Sequence, residues 1–203
     1  SLDHIRARML SHLQVVHPDL GKRVAKGIGM DLPKPAKPFK APVDLEPSDA
    51  LSIQKNWQKT LQGRQVAILF AEGSSKADID ALKKAVEAAK GTVFTIAPKV
   101  GGIPLDRGMM KADGQLAGSP SVLFDAVALV LTEDAAAKLA KDSAAIGFVS
   151  DAFAHLKAIG ATDGAKALLD RAGVEADDGV TDLAGLPEAA KLRYWDREPK
   201  VRD

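Results

Sequence analysis

The chain has 203 residues, 46% hydrophobic, 27% charged and 4% aromatic, so an ordinary globular core must be built from Ala, Val, Leu and Ile. With 28 Lys and Arg against 27 Asp and Glu, the formal charge is +1, which argues against a nucleic-acid partner, because such binders carry a strong basic excess. No apolar run approaches the ~18 residues that a membrane span needs, and the lack of cysteine removes disulfides, thiolate metal sites and sulfur nucleophiles.

Leu2, Ile5, Met9, Leu13 and Val16 recur at helical spacing. Asp3 is placed to cap that helix, and Pro18 ends it or opens the next. Leu20, Val24 and Ile28 continue the pattern to a stop at Gly29. Two short helices with one apolar face each cannot make a core, so this arm, residues 1–30, must pack on something else. Residues 31–60 read as a linker. Pro33, Pro35, Pro38, Pro42 and Pro47 impose a stiff, extended path, and Phe39, Val43 and Leu45 suggest that it lies along a surface.

From 61 to 203 the pattern becomes strands alternating with helices. Val66 to Phe70 is a continuous apolar run, the mark of a strand covered on both faces. Ser75 and Asp78 have capping-box spacing for a helix buried through Ile79, Leu82, Val86 and Ala89 and ended by Gly91. A second strand covers Val93 to Ala97. Residues 99–120 form a Gly-rich excursion in which Asp113-Gly114 reads as a hairpin turn. Ala126 to Leu131 is a third strand, followed by a helix opening at Thr132. Asp142 caps the next, with Ile146, Val149, Phe153 and Leu156 as its stripe. Lys157 to Ala161 is a fourth strand. A helix through Leu168 and Leu169 stops at Gly173, and Pro187 opens a last short one. The alternation implies crossovers, a mainly parallel sheet and a three-layer α/β sandwich of flavodoxin type.

Function in such a sheet belongs at the carboxyl ends of the strands. Glu72-Gly73-Ser74-Ser75 after the first strand lacks both the dinucleotide and the phosphate-loop glycine patterns, and is expected to be a capped turn. Gly160-Ala161-Thr162-Asp163-Gly164 has the outline of a nucleophile elbow, a strand-to-helix turn that presents one side chain above the sheet. Its central residue is Thr162, whose hydroxyl needs a base. His4, His12 and His17 lie in the arm, and His155 sits near the end of its own helix. Thr162 is therefore expected to cap the helix after it rather than to react. Asp177, Asp178 and Asp182 have no histidine with them and lack calcium-loop order; a solvated loop is expected. Arg193 to Arg197, with Tyr194 and Trp195, is expected to anchor the C-terminal segment, and Trp57 the linker.

In order and content these pieces resemble the C-terminal part of the large-subunit haem catalases of the hydroperoxidase II type. The resemblance rests on Arg6 to Leu13, Asp19-Leu20, Val24 to Gly29, Leu51 to Ile53, Gly63 to Leu69 and Asp151 to Gly160. It implies that the arm is the end of a catalase core's helices, and that the α/β part is a non-catalytic accessory domain contributing to stability and tetramer assembly. Its partners would be that core and the neighbouring subunits of a homotetramer, with neither nucleic acid nor membrane. The parent would use haem to decompose hydrogen peroxide to water and oxygen in oxidative-stress defence, while the piece itself carries no cofactor and no metal. Tyr194, preceded by Lys191-Leu192-Arg193, does not match the family's haem-ligating tyrosine. The resemblance extends to class I glutamine amidotransferases and PfpI-type proteases. It places Thr162, between Gly160 and Gly164, where those proteins carry a reactive cysteine, and makes Asp78 the nearest match to their supporting acid: a relic elbow without a catalytic residue. The alternative is a stand-alone PfpI-like protein with chaperone or residual hydrolase or glyoxalase-type activity. A flavin or nucleotide binder is disfavoured by the missing phosphate cradle. The start at Ser1 rather than Met suggests a piece of a longer protein, and the absence of cysteine and of a signal-peptide pattern fits the cytoplasm.

Overall fold

The computed structural model describes residues 2–41, 43 and 45–201; Ser1 and Pro42 lie outside the described residues. The chain divides into two compact units, Ser1–Asn56 and Trp57–Asp203.

The first unit holds α1 (Asp3–Val16) and α2 (Pro18–Gly27). Pro18 opens α2, where its missing N–H costs nothing, and the His17 ring accepts from the Asp19 N–H. Gly29, at φ +64°, follows the helix. Asp3 is the first helical residue, and the cap position belongs to Leu2. The anticipated stripe of α1 is not its buried face. Leu10 is the buried residue, while Leu2, Ile5, Met9 and Val16 stand in solvent. Phe39, Val43 and Leu45 are likewise exposed, while the start of the linker runs beside α1, where the Ala36 N–H donates to the Ser11 carbonyl at 2.9 Å and the Gln14 side-chain amide to the Pro33 carbonyl at 2.6 Å.

The second unit is a six-stranded sheet with every pairing parallel, from β1 (Gln65–Phe70), β2 (Thr92–Ala97), β5 (Gly114–Gln115), β6 (Ala126–Val130), β7 (Ala158–Ala161) and β8 (Val180–Thr181). Its order is β5-β2-β1-β6-β7-β8. Alternation along β1 divides the core. Val66, Ile68 and Phe70 face α3 (Lys76–Ala88) and α7 (Leu186–Ala189), whereas Ala67 and Leu69 face α4 (Glu133–Leu139), α5 (Ser143–Ala154) and α6 (Lys166–Arg171). Burial of each Leu, Ile or Phe there contributes about 1.5–3 kcal/mol, and the continuous apolar runs follow from helices on both faces.

Three helix starts match the capping chemistry. The side chains of Ser75, Thr132 and Asp142 accept from Asp78, Ala135 and Ala144 N–H groups. Other local expectations change. Asp113-Gly114 is not a hairpin turn. The Asp113 carboxylate accepts from the N–H and hydroxyl of Thr95, which delivers Gly114 as edge strand β5 beside β2. The hairpin is β3 (Gly102–Pro104) with β4 (Met109–Lys111). The left-handed residue ending α3 is Lys90, at φ +65°, not Gly91. On α5 the buried stripe is Ala145, Phe148, Val149, Ala152 and Phe153, and Leu156 lies beyond the helix at φ +61°. Pro187 is the second residue of α7.

Candidate functional site

Chain order reverses between β1 and β6, one leading to β2 and β5, the other to β7 and β8. The crevice beyond their carboxyl ends is where an open α/β sheet takes a ligand. Loops 71–75 and 131–133 form it, with the turn after β7 alongside.

Two hydroxyls staple the end of β6 from opposite sides. From the β1 side, buried Ser74 accepts from the Ala71 N–H at 2.9 Å and donates to the Val130 carbonyl at 2.5 Å. From the β7 side, Thr162 Oγ1 donates to the Leu131 carbonyl at 2.7 Å and accepts from the Leu131 N–H at 3.1 Å. Thr162 thus occupies the cap position of the 3-10 turn Asp163–Ala165 without capping it. Its hydroxyl is turned sideways into the neighbouring strand, correcting the capping expectation. Its backbone, at φ −74° and ψ 156°, lacks the strain of a nucleophile elbow.

The flanking glycines follow from packing. A Cβ on Gly160 would sit 2.8 Å from the Leu186 Cβ, where α7 crosses β7. One on Gly164 would sit 2.5 Å from the Leu131 carbonyl oxygen and 2.9 Å from the Glu133 nitrogen, both rigid backbone. Close approach of the 131–133 loop fixes that glycine without any reference to a reaction.

Thr162 and Asp78 line the same cleft of about 570 Å³. Its other charged members are Asp106, Asp163 and Asp182, with no histidine, lysine or arginine. A threonine attacks only when a neighbouring base takes its proton; here the proton is held by Leu131, and four carboxylates repel an anionic intermediate. The Glu72 to Ser75 loop is the expected capped turn, with Ser75 on α3.

The four histidines are exposed, and the His155 ring lies 2.7 Å from the Asp151 carbonyl of its own helix. The Tyr194 hydroxyl donates to the Ala189 carbonyl at 3.0 Å, and burial raises its pKa. These donors do not fit an axial haem ligand, which must reach into a cavity large enough for the macrocycle. Among the described residues no group of three or more His, Asp or Glu side chains is arranged for a metal ion. No helix among the described residues is long and apolar enough to cross a membrane.

The acidic tail loop is not simply solvated. Asp177 accepts two bonds from Arg197, which is 2% exposed, at 2.5 and 2.7 Å. Arg197 also donates to the Lys157 carbonyl at 2.6 Å and lies over the rings of Phe153 and Tyr194 at 4.4 and 4.9 Å. Burial alone would raise the Asp177 pKa, but the hydrogen bonds from Arg197 and Gly179 bring it below the usual carboxylate value. The Trp57 indole donates to the Lys191 carbonyl at 2.7 Å and meets Trp195 edge-on at 6.1 Å. The aromatic tail is an anchor.

A family model described as the C-terminal domain found in long catalases matches residues 62–196. The chain belongs to that family. It is 43% identical to catalase C of Rhizobium meliloti over 98% of its own length and 30% of the relative's. It is 30% identical to catalase HPII of Pseudomonas aeruginosa over 98% and 29%. This catalase C-terminal domain with its arm therefore spans less than a third of the relatives it matches. Among solved structures it is similar to a two-domain protein of Anabaena variabilis with DJ-1/ThiJ/PfpI-like and ferritin-like domains, at TM-score 0.51 and 19% identity, over 56% of this chain and 34% of that one. That likeness agrees with the flavodoxin-like fold.

Proposed function

We propose that this chain is the non-catalytic accessory part of a large-subunit catalase, contributing stability and tetramer assembly. A haem-bearing core elsewhere in the same cytoplasmic polypeptide would decompose hydrogen peroxide to water and oxygen in oxidative-stress defence. The supporting observation is the surface of the first unit. Ile5, Met9, Phe39, Leu45, Leu51 and Ile53 all stand in solvent, Phe39 completely and Leu51 at 84%. So many large apolar side chains left bare in one short unit support a protein partner that covers them. The catalase core and neighbouring subunits are the partners that the family supplies. The braced Thr162 and the acidic cleft support an inert role for the α/β unit.

The test is truncation of the full-length parent after Asn56. Peroxide turnover per haem is expected to persist, while heat inactivation accelerates and light scattering detects loss of tetramer. Turnover lost in an intact tetramer, or no change in any of the three, would overturn the reading.

The same exposed side chains fit a second reading, a PfpI-like chain that holds unfolded clients. It predicts that the isolated chain suppresses thermal aggregation of a client better than an equal mass of inert protein. A hydrolase or glyoxalase-type activity abolished by Thr162→Ala would restore the elbow to chemistry.

A further inference from the structure

The switch-point crevice is double. Gly73 and Thr132 approach across it, so that a Cβ added to Gly73 would lie 3.6 Å from the Thr132 methyl, and both residues line each half. One half is the acidic cleft of Thr162. The other, of about 730 Å³, runs between the β3–β4 hairpin and α4, within the 300–1,000 Å³ of small-molecule sites.

The hairpin wall is fixed in place. The Gly73 N–H donates to the Pro104 carbonyl at 2.9 Å, the Asp106 N–H to Ser74 at 3.0 Å, and the Lys76 N–H to the Asp106 carboxylate at 2.8 Å. Ile103 and Pro104 face Ala135 and Leu139 across the gap. Its mouth carries Glu72, Lys99, Asp134 and Lys138, none of which enters an ion pair among the described residues. In this Asp134 and Lys138 differ from two other four-apart pairs of the chain. They stand four apart on α4 with the acid first, the favoured order, yet stay apart. Lys76 and Asp80 close to 2.7 Å, and Lys166 and Asp170 to 2.8 Å, in the less favoured order. The third carboxylate, Asp142, is engaged as the cap of α5.

We propose that this crevice binds a small zwitterion with an apolar body, a dipeptide with large apolar side chains and free ends. Its side chains lie between Ile103 and Leu139, its carboxylate meets Lys99 and Lys138, and its ammonium meets Glu72 and Asp134. The site is independent of the accessory role, because it requires neither haem nor core.

Leucyl-phenylalanine is the probe, titrated calorimetrically into the chain beside the same dipeptide acetylated and amidated at its ends. Saturable binding of the free dipeptide is expected, weakened about two- to thirtyfold by capping, the range that two exposed ion pairs, one at each end, supply. A Glu72→Gln, Lys138→Met double variant should weaken the free dipeptide alike and leave the melting temperature in place, since both side chains are exposed. Absence of saturable binding at millimolar dipeptide, equal affinity of the capped form, or full affinity in a folded double variant would overturn the proposal.

Discussion

Lys157 is 4% exposed, and its ammonium donates to the Ser121 carbonyl at 2.7 Å. Burial, reinforced by nearby Arg193, lowers its pKa from 10.5 to about 8, with Asp125 and Asp151 acting the other way. The neutral amine is thus favoured in the folded state. Above pH 8 the unfolded chain still holds the proton that the folded chain has released, so stability rises with pH from about 8 towards 10.5. Chemical denaturation of the chain at pH 7 and pH 9.5 should show a higher midpoint at pH 9.5, and Lys157→Met should remove most of that rise. Thr162 allows a second residue-level prediction. Thr162→Val keeps the shape but strands the Leu131 N–H and carbonyl, and should cost about 1–3 kcal/mol in urea unfolding, whereas Thr162→Ser should cost less, because its hydroxyl can remake both bonds. Neither hydroxyl staple was legible beforehand. Residue type and the elbow outline were visible at 160–164, but the partner of Thr162 lies 31 residues away, so the outline alone pointed to capping.

Among the elements, β1 and β6 were readable because burial on both faces leaves an uninterrupted apolar run, and β2 was readable although Thr95 interrupts its run. The Asp113-Gly114 signal failed because a tertiary bond outweighed a local one: Thr95 captures the carboxylate that a free turn would keep. β8 has two residues, too few to carry a pattern. The tail offers a test at this scale. Arg197 and Asp177 are 20 residues apart and join α5, the start of β7 and the C-terminal turn. Removing one member of a buried pair leaves the other charge unmatched, at about 3–5 kcal/mol. Asp177→Asn should therefore destabilise the chain by an amount of that order in guanidinium unfolding. The pH dependence follows from the lowered pKa of Asp177. The pair's contribution is complete above the ordinary carboxylate value of 3.8 and is lost as pH falls through the depressed folded one. Acid titration of intrinsic Trp fluorescence should show the variant unfolding without that step.

For the molecule as a whole, the two units differ in how they satisfy their apolar residues. The α/β unit buries them on both faces of one sheet, while the arm and linker leave theirs in solvent. This difference argues that the second unit folds by itself and the first requires company. Limited proteolysis of the isolated chain should cut within residues 31–56 and leave a fragment beginning near Trp57 that melts as the intact chain does. That the arm would leave apolar side chains bare was legible in the sequence, as two one-sided helices ahead of a proline-rich stretch. Which of its side chains would be left bare was not, since Leu10 rather than the predicted stripe faces inward.

The sheet's outermost strands, β5 and β8, have two residues each. So little free backbone cannot template another strand. Copies of this domain held close together therefore find almost no ladder to extend at the edges of the six-stranded sheet. Crowding several of them onto one assembly carries little danger of runaway stacking.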